Sequence, residues 1–403
     1  FSRNFFIGPW CKNNIKLLNE DFSDTLNLYK RNNLDKYEKD TLFLKKNYEF
    51  ILNLISKNLN IVHKKKFNKR FWEILISRWL LTWINHVYFR WEYIKKINKK
   101  FKVDKFINNR IHPNYAIPSN TIEAHNMQRV DNRWSELTFN QILDFKYKKK
   151  IKCIYLKKNT SYKKDNFQIL NFSRISLFRN KCKFFLYKSE INLKTQLRIR
   201  KNFNLYAISF FAQQKIFKRK NNIRKQLKDL MPKLKRNDFK NFLVSTLVYN
   251  MPEIFLENFE DLENLYAKSK WPKNVRYIIT SYGQYYDELF KFYAATQSHN
   301  KKIKFCILQH GYGNIFLNDD YYNVYLDRKI SDMYLSWGNL RRKKNIPLFY
   351  PRVSNDKIEN FKFKKNCKLL ILSYSFSNTL HTPPDGSLNG NIINQKNLFL
   401  LIS

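Results

Sequence analysis

The sequence contains little glycine, proline and cysteine, and its basic residues far outnumber its acidic ones. Its 403 residues include 7 Gly, 10 Pro and 5 Cys, with 32 Asp and Glu against 76 Lys and Arg. The cysteines are far apart, which argues against both a disulfide framework and the paired ligand spacing of a zinc site. They are Cys11, Cys153, Cys182, Cys306 and Cys367. We expect reduced thiols in a cytoplasmic protein.

Several sequence signatures are missing as well. No apolar run approaches the ~20 residues of a membrane span, and the nearest, at 79–88, is flanked by Arg78 and Arg90. The histidines form no HExxH or HxxxH pattern, and Asp319-Asp320 lacks the alternating spacing of metal-binding carboxylates. There is no Walker loop and no GxGxxG motif. We therefore expect neither a metal ion nor a resident cofactor.

The abundant residues are basic and aromatic. The net charge is +44, and 17% of the chain is aromatic, which is typical of a folded protein rather than a disordered one. Such a charge attracts nucleic acid, acidic lipid headgroups or phosphate-bearing substrates. An AT-rich genome also favours Lys, Asn, Ile, Phe and Tyr whatever the function, and here the basic residues are spread along the whole chain. Composition leaves both interpretations open.

Hydrophobic periodicity predicts long helices over residues 21–106. Trp72, Trp79, Trp83 and Trp91 crowd one helical stretch, where core packing explains them better than a sugar-binding platform. The segment 107–269 is predicted to be irregular at first and helical again from about residue 201, with short β-like pieces near 151–156 and 183–187.

Three buried strands are predicted at 277–280, 305–308 and 369–372, together with a short one at 5–7. Strands that alternate with helical stretches indicate parallel α/β units. In such sheets, ligands bind where the strands end. The loops at 8–10, 281–283 and 309–313 are therefore expected at one edge of a sheet.

The loop at 309–313 is the best candidate for chemistry. His310 follows a strand and could act as a general base, donate to a phosphate oxygen, or only cap the turn. Gly311 and Gly313 would let the backbone approach a ligand closely. Ser281 either contacts substrate or caps a helix, and Asp332 either orients His310 or caps the next element. The candidate catalytic residues are His310 and Asp332, and the candidate substrate-binding residues are Gly8, Trp10, Ser281, Gln309, Gly311, Gly313 and Trp337.

Nine short motifs occur in an order that is specific when taken together. They are GPWC (8–11), KRFWEILISRWL (69–80), YFRW (88–91), DNRW (131–134), MPEIFLENFEDL (251–262), IITS (278–281), FKFYAA (290–295), QHGYG (309–313) and ISDMYLSWG (330–338). The set resembles a family of transferases from gene clusters for O-antigen and other surface carbohydrates, first described from spirochaetes. The resemblance covers roughly residues 4–375. Members usually carry two glycines after the histidine of QHG, and here Tyr312 takes the second place.

The resemblance implies an α/β fold of two Rossmann-like domains, as in GT-B glycosyltransferases, with large helical insertions in the first. The first domain would cover 1–338, with the helical insertion at about 21–106 and the irregular and helical segment at about 107–269. A linker would cover 339–366, and a nucleotide-binding domain would begin at 367. The 403-residue chain leaves little length for that domain, so we expect it to be truncated and this chain alone to be inactive.

The resemblance also implies a glycosyltransferase that moves a sugar from a nucleotide-activated donor onto a glycan or lipid-linked acceptor of O-antigen, lipopolysaccharide or another surface polysaccharide. We expect metal-independent transfer in the cytoplasm, peripheral contact with the anionic inner-membrane surface, and no specific nucleic-acid partner. Two alternatives stay open. One is a polyol-phosphate transferase on the same fold, and the other is a basic nucleic-acid-binding or ribosome-associated protein without catalytic activity.

Overall fold

The computed structural model describes residues 4–6, 22–25, 34–155, 167–174, 183–203, 205–208, 210–217, 222–232, 238–269, 271–273, 275–299, 303–310, 322–337 and 344–348. The structural statements below concern these ranges. Gly8, Trp10, Gly311, Gly313 and the predicted strand at 369–372 lie outside them.

A parallel six-stranded sheet forms the centre of the described structure. Its strands are β6 (Phe184–Tyr187), β7 (Leu205–Ile208), β9 (Tyr277–Thr280), β10 (Lys304–Leu308), β11 (Met333–Trp337) and β12 (Asn345–Leu348). Their spatial order is β7-β6-β9-β10-β11-β12, and every neighbouring pair is parallel. The predicted α/β class with parallel strands is confirmed.

The strand order reverses direction between β6 and β9. From β6 the chain continues to β7 on one side, and β9 then pairs with β6 on its other side. The remaining strands follow outward from β9 in sequence order. This is the order of flavodoxin-like doubly wound folds with one further strand, and such folds bind ligands at the reversal point. We call the gap between the ends of β6 and β9 the switch point.

Two long helices fill most of the range predicted to be a helical insertion, α1 (Leu34–Val62) and α2 (Lys69–Lys100). Asn68 caps α2 by accepting a hydrogen bond from Phe71 N, and Lys99 and Lys100 lie in its last turn, where the helix dipole favours cations. Every residue of α2 from 74 to 91 is buried. Its four tryptophans are core residues, as the sequence predicted.

The other helices pack around α2 and the sheet. They are α3 (Thr121–Val130), α4 (Asn132–Ile142), α5 (Leu193–Phe203), α6 (Ile223–Asp229), α7 (Phe239–Asn250), α8 (Phe259–Lys268), α9 (Gly283–Tyr286), α10 (Glu288–Ser298) and α11 (Tyr322–Ile330). Helices α1, α3, α4, α7, α9, α10 and α11 all contact α2, which explains why it is buried on nearly every side.

The described residues also form three two-stranded sheets. They pair β1 (Asn4–Phe6) with β2 (Phe22–Thr25), β3 (Lys105–Asn108) with β4 (Lys152–Tyr155), and β5 (Phe167–Arg174) with β8 (Phe210–Phe217). The strand predicted at 5–7 is thus present as β1, but it pairs with β2 and not with the six-stranded sheet.

Two sequence interpretations need correction. The part of the chain from about residue 201, predicted as helical, supplies β7 to the sheet, whereas the β-like piece predicted near 183–187 is present as β6 beside the switch point. The described part of the predicted linker forms β12, which pairs with β11 on one side. Among the described strands β12 is the last of the sheet, a position that tolerates Pro347 because this residue has no N–H to donate, and the proline hides the strand signal in the sequence. The second Rossmann-like domain predicted from residue 367 falls outside the described residues.

Candidate active site

The loops after β6, β9 and β10 meet at one edge of the sheet, which we call the carboxyl edge. Tyr187 is the register partner of Thr280, and Thr280 is the partner of Ile307. The residues that follow these strands are therefore neighbours across the switch point. Ser281 and His310 both lie here, as the sequence predicted.

The loop after β6 is held in an unusual conformation. Lys188 has φ 42°, in the left-handed region that costs a non-glycine residue about 1 kcal/mol or more. Its Nζ lies 2.7 Å from Oδ2 of Asp287, a carboxylate that also accepts a hydrogen bond from Tyr187 OH. The other oxygen of Asp287 caps α10 by accepting from Phe290 N at 3.0 Å. One buried carboxylate thus joins the strained turn to the start of α10.

Ser281 joins the loops on the two sides of the switch point. Its backbone N–H donates to Lys188 O at 3.2 Å, and its Oγ accepts from Glu190 N at 3.2 Å. The Ser281 side chain does not cap α9, and the first N–H of that helix, that of Gly283, donates instead to Thr280 Oγ1 at 2.9 Å. Ser281 is buried, so its hydroxyl holds the loops at the switch point and is not an accessible nucleophile.

Gly283 is required by the packing above the switch point. A Cβ at this position would lie 2.6 Å from Cδ1 of Phe290 and 2.8 Å from Cδ1 of Tyr187. The rings of Tyr187 and Phe290 stack 4.4 Å apart, so neither can move aside cheaply. The absent side chain lets α9 begin directly against these two rings.

His310 contacts two tyrosines that follow β9. Its Nε2 lies 2.5 Å from Tyr285 OH, and its ring stacks on that of Tyr282 with the centroids 4.8 Å apart. Tyr282 is 38% exposed and His310 is partly exposed, so this side of the site is open to solvent. Tyr285 is buried.

Behind Tyr285 lies a buried carboxylate that sequence reasoning missed. Tyr285 OH donates to Asp327 Oδ2 at 2.8 Å, and Gln284 Nε2 donates to Asp327 Oδ1 at 3.2 Å. Burial raises the pKa of Asp327 to about 6, against the opposing effects of these two donors and of Arg78. The Arg78 guanidinium lies 4.4 Å from the centre of the Tyr285 ring. Burial, with Asp327 adding to it, raises the pKa of Tyr285 well above its usual value.

Gln309 and Trp337 are brought together, and both are buried. Gln309 N donates to Leu335 O at 2.8 Å, and its side-chain Oε1 accepts from Trp337 N at 2.9 Å. These bonds tie the ends of β10 and β11 together directly beside His310. The two residues, predicted to bind substrate, thus support the loop that carries the histidine.

The prediction that Asp332 orients His310 is wrong. Asp332 precedes β11, so it lies at the opposite edge of the parallel sheet from a residue that follows β10. There its Oδ2 accepts from Phe305 N at 2.9 Å, and its Oδ1 lies 2.9 Å from Arg70 NH2. Asp327, inside α11, is the carboxylate that is connected to His310.

Within the described ranges, no group of three or more His, Cys, Asp or Glu side chains is placed to hold a metal ion. In the same part of the chain, no helix combines the length and apolar character needed to cross a membrane.

The family comparison identifies the class of protein. A model of the LIC12162 family transferase matches residues 2–395, nearly the whole chain. The chain belongs to this family. The resemblance drawn from the nine motifs is confirmed, and membership in a transferase family favours an enzyme over the nucleic-acid-binding alternative. No curated protein matches the chain. No solved structure matches it either.

As a member of a transferase family, the chain is expected to bring a donor and an acceptor together. The carboxyl edge offers a partly exposed imidazole, an exposed tyrosine ring and a strained lysine turn around the switch point. These are groups that can move a proton and contact a polar substrate.

Proposed function

We propose that the protein is a glycosyltransferase that moves a sugar from a nucleotide-activated donor onto an acceptor of O-antigen or another surface polysaccharide. One observation carries the proposal: His310 is partly exposed at the carboxyl edge, beside the switch point, in a chain that belongs to a transferase family. Ligands of doubly wound folds bind at that position.

In the proposed reaction, His310 is the general base. It takes the proton of the acceptor hydroxyl while the acceptor oxygen bonds to the anomeric carbon of the donor. The bond from that carbon to the phosphate oxygen breaks, and its electron pair leaves with the nucleotide. The backbone amides near Gly311 and Gly313 would bind the developing negative charge, and Gly8 and Trp10 would shape the acceptor side. No step requires a metal ion.

The positive net charge of +44 supports binding of an anionic donor and peripheral contact with an anionic inner-membrane surface. Cosedimentation with vesicles that contain anionic lipid tests the second point. We expect binding that weakens as salt rises, and equal binding to neutral vesicles would contradict it.

The first experiment measures the thermal stability of the full-length protein against a panel of nucleotide sugars. A rise in melting temperature with one nucleotide class supports the proposal and names the donor. A rise given only by nucleotide-activated polyol phosphates would indicate the polyol-phosphate alternative. No rise with any nucleotide, together with tight and steeply salt-dependent RNA binding, would contradict the transferase proposal.

The second experiment compares His310→Ala with His299→Ala, using the donor found in the first. His299 is an exposed histidine that follows α10 and hydrogen bonds with Asn68. We expect kcat to fall about 100-fold or more for His310→Ala and to stay unchanged for the control. Unaltered turnover of His310→Ala would remove this histidine from the mechanism.

A further inference from the structure

We propose that Tyr285 and Asp327 hold the His310 imidazole as the tautomer protonated on Nε2, which makes Nδ1 its basic nitrogen. The catalytic use of that nitrogen rests on the proposed function, whereas the tautomer itself follows from the hydrogen bonds. We call the three residues the His310–Tyr285–Asp327 chain.

The direction of the hydrogen bonds follows from counting protons. An ionised carboxylate only accepts, so the single hydroxyl proton of Tyr285 points at Asp327 Oδ2, 2.8 Å away. The tyrosine oxygen must then accept from its other neighbour, Nε2 of His310, at 2.5 Å. A nitrogen that donates carries the ring proton, so the ring lone pair is on Nδ1.

Neighbouring side chains orient the members of the His310–Tyr285–Asp327 chain. Asp327 is oriented by a second donor, because Gln284 Nε2 lies 3.2 Å from its Oδ1. The same amide group donates to Ser281 O at 3.1 Å, which links Asp327 to the loop after β9. Stacking of Tyr282 on His310 sets the plane of the imidazole. A base held in one orientation needs no reorganisation during the reaction.

The His310–Tyr285–Asp327 chain also stabilises the positive charge that forms on His310 during the reaction. When Nδ1 takes the acceptor proton, the imidazole becomes a cation, and Nε2–H continues to donate to Tyr285. The buried Asp327 carboxylate stabilises this cation through the tyrosine hydroxyl. Because the pKa of Tyr285 lies well above its usual value, the tyrosine keeps its proton throughout. Tyr285 and Asp327 are therefore positioning residues, and only His310 exchanges a proton with substrate.

Ring-nitrogen chemical shifts of full-length protein labelled with ¹⁵N-histidine test the tautomer directly. The His310 signals are those lost in His310→Ala. We expect the wild type to carry its proton on Nε2 and Tyr285→Phe to show a mixture of tautomers. With the donor substrate, kcat should fall about 100-fold in Tyr285→Phe while KM changes little.

Asp327→Asn gives a sharper prediction. Gln284 donates to Oδ1, so the amide oxygen of the new side chain keeps that place and its NH2 group faces Tyr285. Tyr285 then accepts from this NH2 and donates to His310, whose proton must move to Nδ1. A loss of packing alone would not reverse the tautomer.

The matched control is Tyr286→Phe, which removes the neighbouring hydroxyl. That hydroxyl accepts from Arg78 NH2 at 3.3 Å, and we expect both tautomer and kcat to be unchanged. A wild-type proton on Nδ1, or equal effects of Tyr285→Phe and Tyr286→Phe, would overturn the inference. Full turnover in His310→Ala would instead overturn the proposed base, and the chemical shifts would still test the chain independently.

Discussion

Lys188 and Asp287 form an ion pair, Nζ to Oδ2 at 2.7 Å, that joins the end of β6 to the start of α10. The lysine side chain is partly exposed and the carboxylate is almost completely buried. The pair stabilises a left-handed turn at the point where a doubly wound sheet binds its ligand. The Asp287 carboxylate therefore helps to fix the loop geometry at the switch point, together with the hydrogen bonds of Ser281.

Replacing that carboxylate should destabilise the fold. We expect Asp287→Ala to lower the free energy of unfolding by about 2–4 kcal/mol, because it removes the α10 cap and leaves Tyr187 OH without its acceptor. Urea denaturation followed by circular dichroism measures the loss. Asp287→Asn keeps the capping oxygen and should lose less. Equal losses in the two variants would show that the cap contributes little.

Gly283→Ala should destabilise the protein by about 1–3 kcal/mol, because the new methyl group would overlap the rings of Tyr187 and Phe290. The double variant Gly283→Ala/Phe290→Leu provides the control, since the smaller leucine makes room for the methyl group. The two changes should cost less together than the sum of the single changes in urea denaturation. Strict additivity would argue against the overlap.

Activity should decline on the acid side with an apparent pKa near 6. Burial raises the pKa of Asp327 to about 6, so its carboxylate takes up a proton as the pH falls through that value, and Tyr285 loses its ionised acceptor. The pH profile of kcat/KM measures the decline. In Asp327→Asn the contribution of this group should be missing from the profile. If kcat/KM of the variant declined at low pH as it does in the wild type, the decline would be caused by another group.

The same carboxyl group should make stability depend on pH. Its folded pKa of about 6 lies above the usual 3.8, so the folded protein binds the proton more tightly than the unfolded chain. The stabilisation that this proton binding gives is complete below about pH 4 and is lost as the pH rises through 6. The free energy of unfolding should fall by about 3 kcal/mol over this range. Urea titrations of wild type and Asp327→Asn over this range should diverge accordingly, and parallel curves would contradict the prediction.

Removing only one partner of the buried ion pair in α10 should lower the free energy of unfolding strongly. Lys291 Nζ lies 2.6 Å from Glu288 Oε2, both side chains are almost completely buried, and both contact Thr121. Lys291→Met leaves a buried carboxylate without its counterion, which should cost about 3–5 kcal/mol.

The companion variant Glu288→Gln/Lys291→Met keeps an acceptor for Thr121 N and removes both charges. We expect it to be clearly more stable than Lys291→Met in urea denaturation. A double variant as unstable as the single one would mean that packing, and not the unpaired charge, causes the loss.

Local patterns in the sequence were sufficient to predict the central strands β9 and β10 and the helix α2. β9 and β10 are short apolar runs of the kind that parallel strands show when both faces are buried, and α2 carries many closely spaced aromatic and aliphatic residues. β6 was predicted only as a short β-like piece, because its four residues lie within a Lys-rich stretch and no local pattern shows which strands it pairs with. Its neighbours β7 and β9 are what make it a central strand.

The sequence predicted which loops form the candidate site but not which side chains contact each other there. The position of His310 at a strand end follows from a local pattern, whereas its connection to Asp327 passes through Tyr285, 42 residues earlier in the chain. Asp327 lies within a helix, where spacing gives no sign of the contact. The error at Asp332 has a topological origin, because the start of one parallel strand and the end of its neighbour lie at opposite edges of the sheet.

The burial of the aromatic core has a spectroscopic consequence. Every tryptophan that the structure describes is buried, from Trp72 in α2 to Trp337 at the end of β11. Indole emission shifts to longer wavelength when water reaches the ring. The native protein should therefore fluoresce at short wavelength from these rings, and a red shift will report the opening of the helical core.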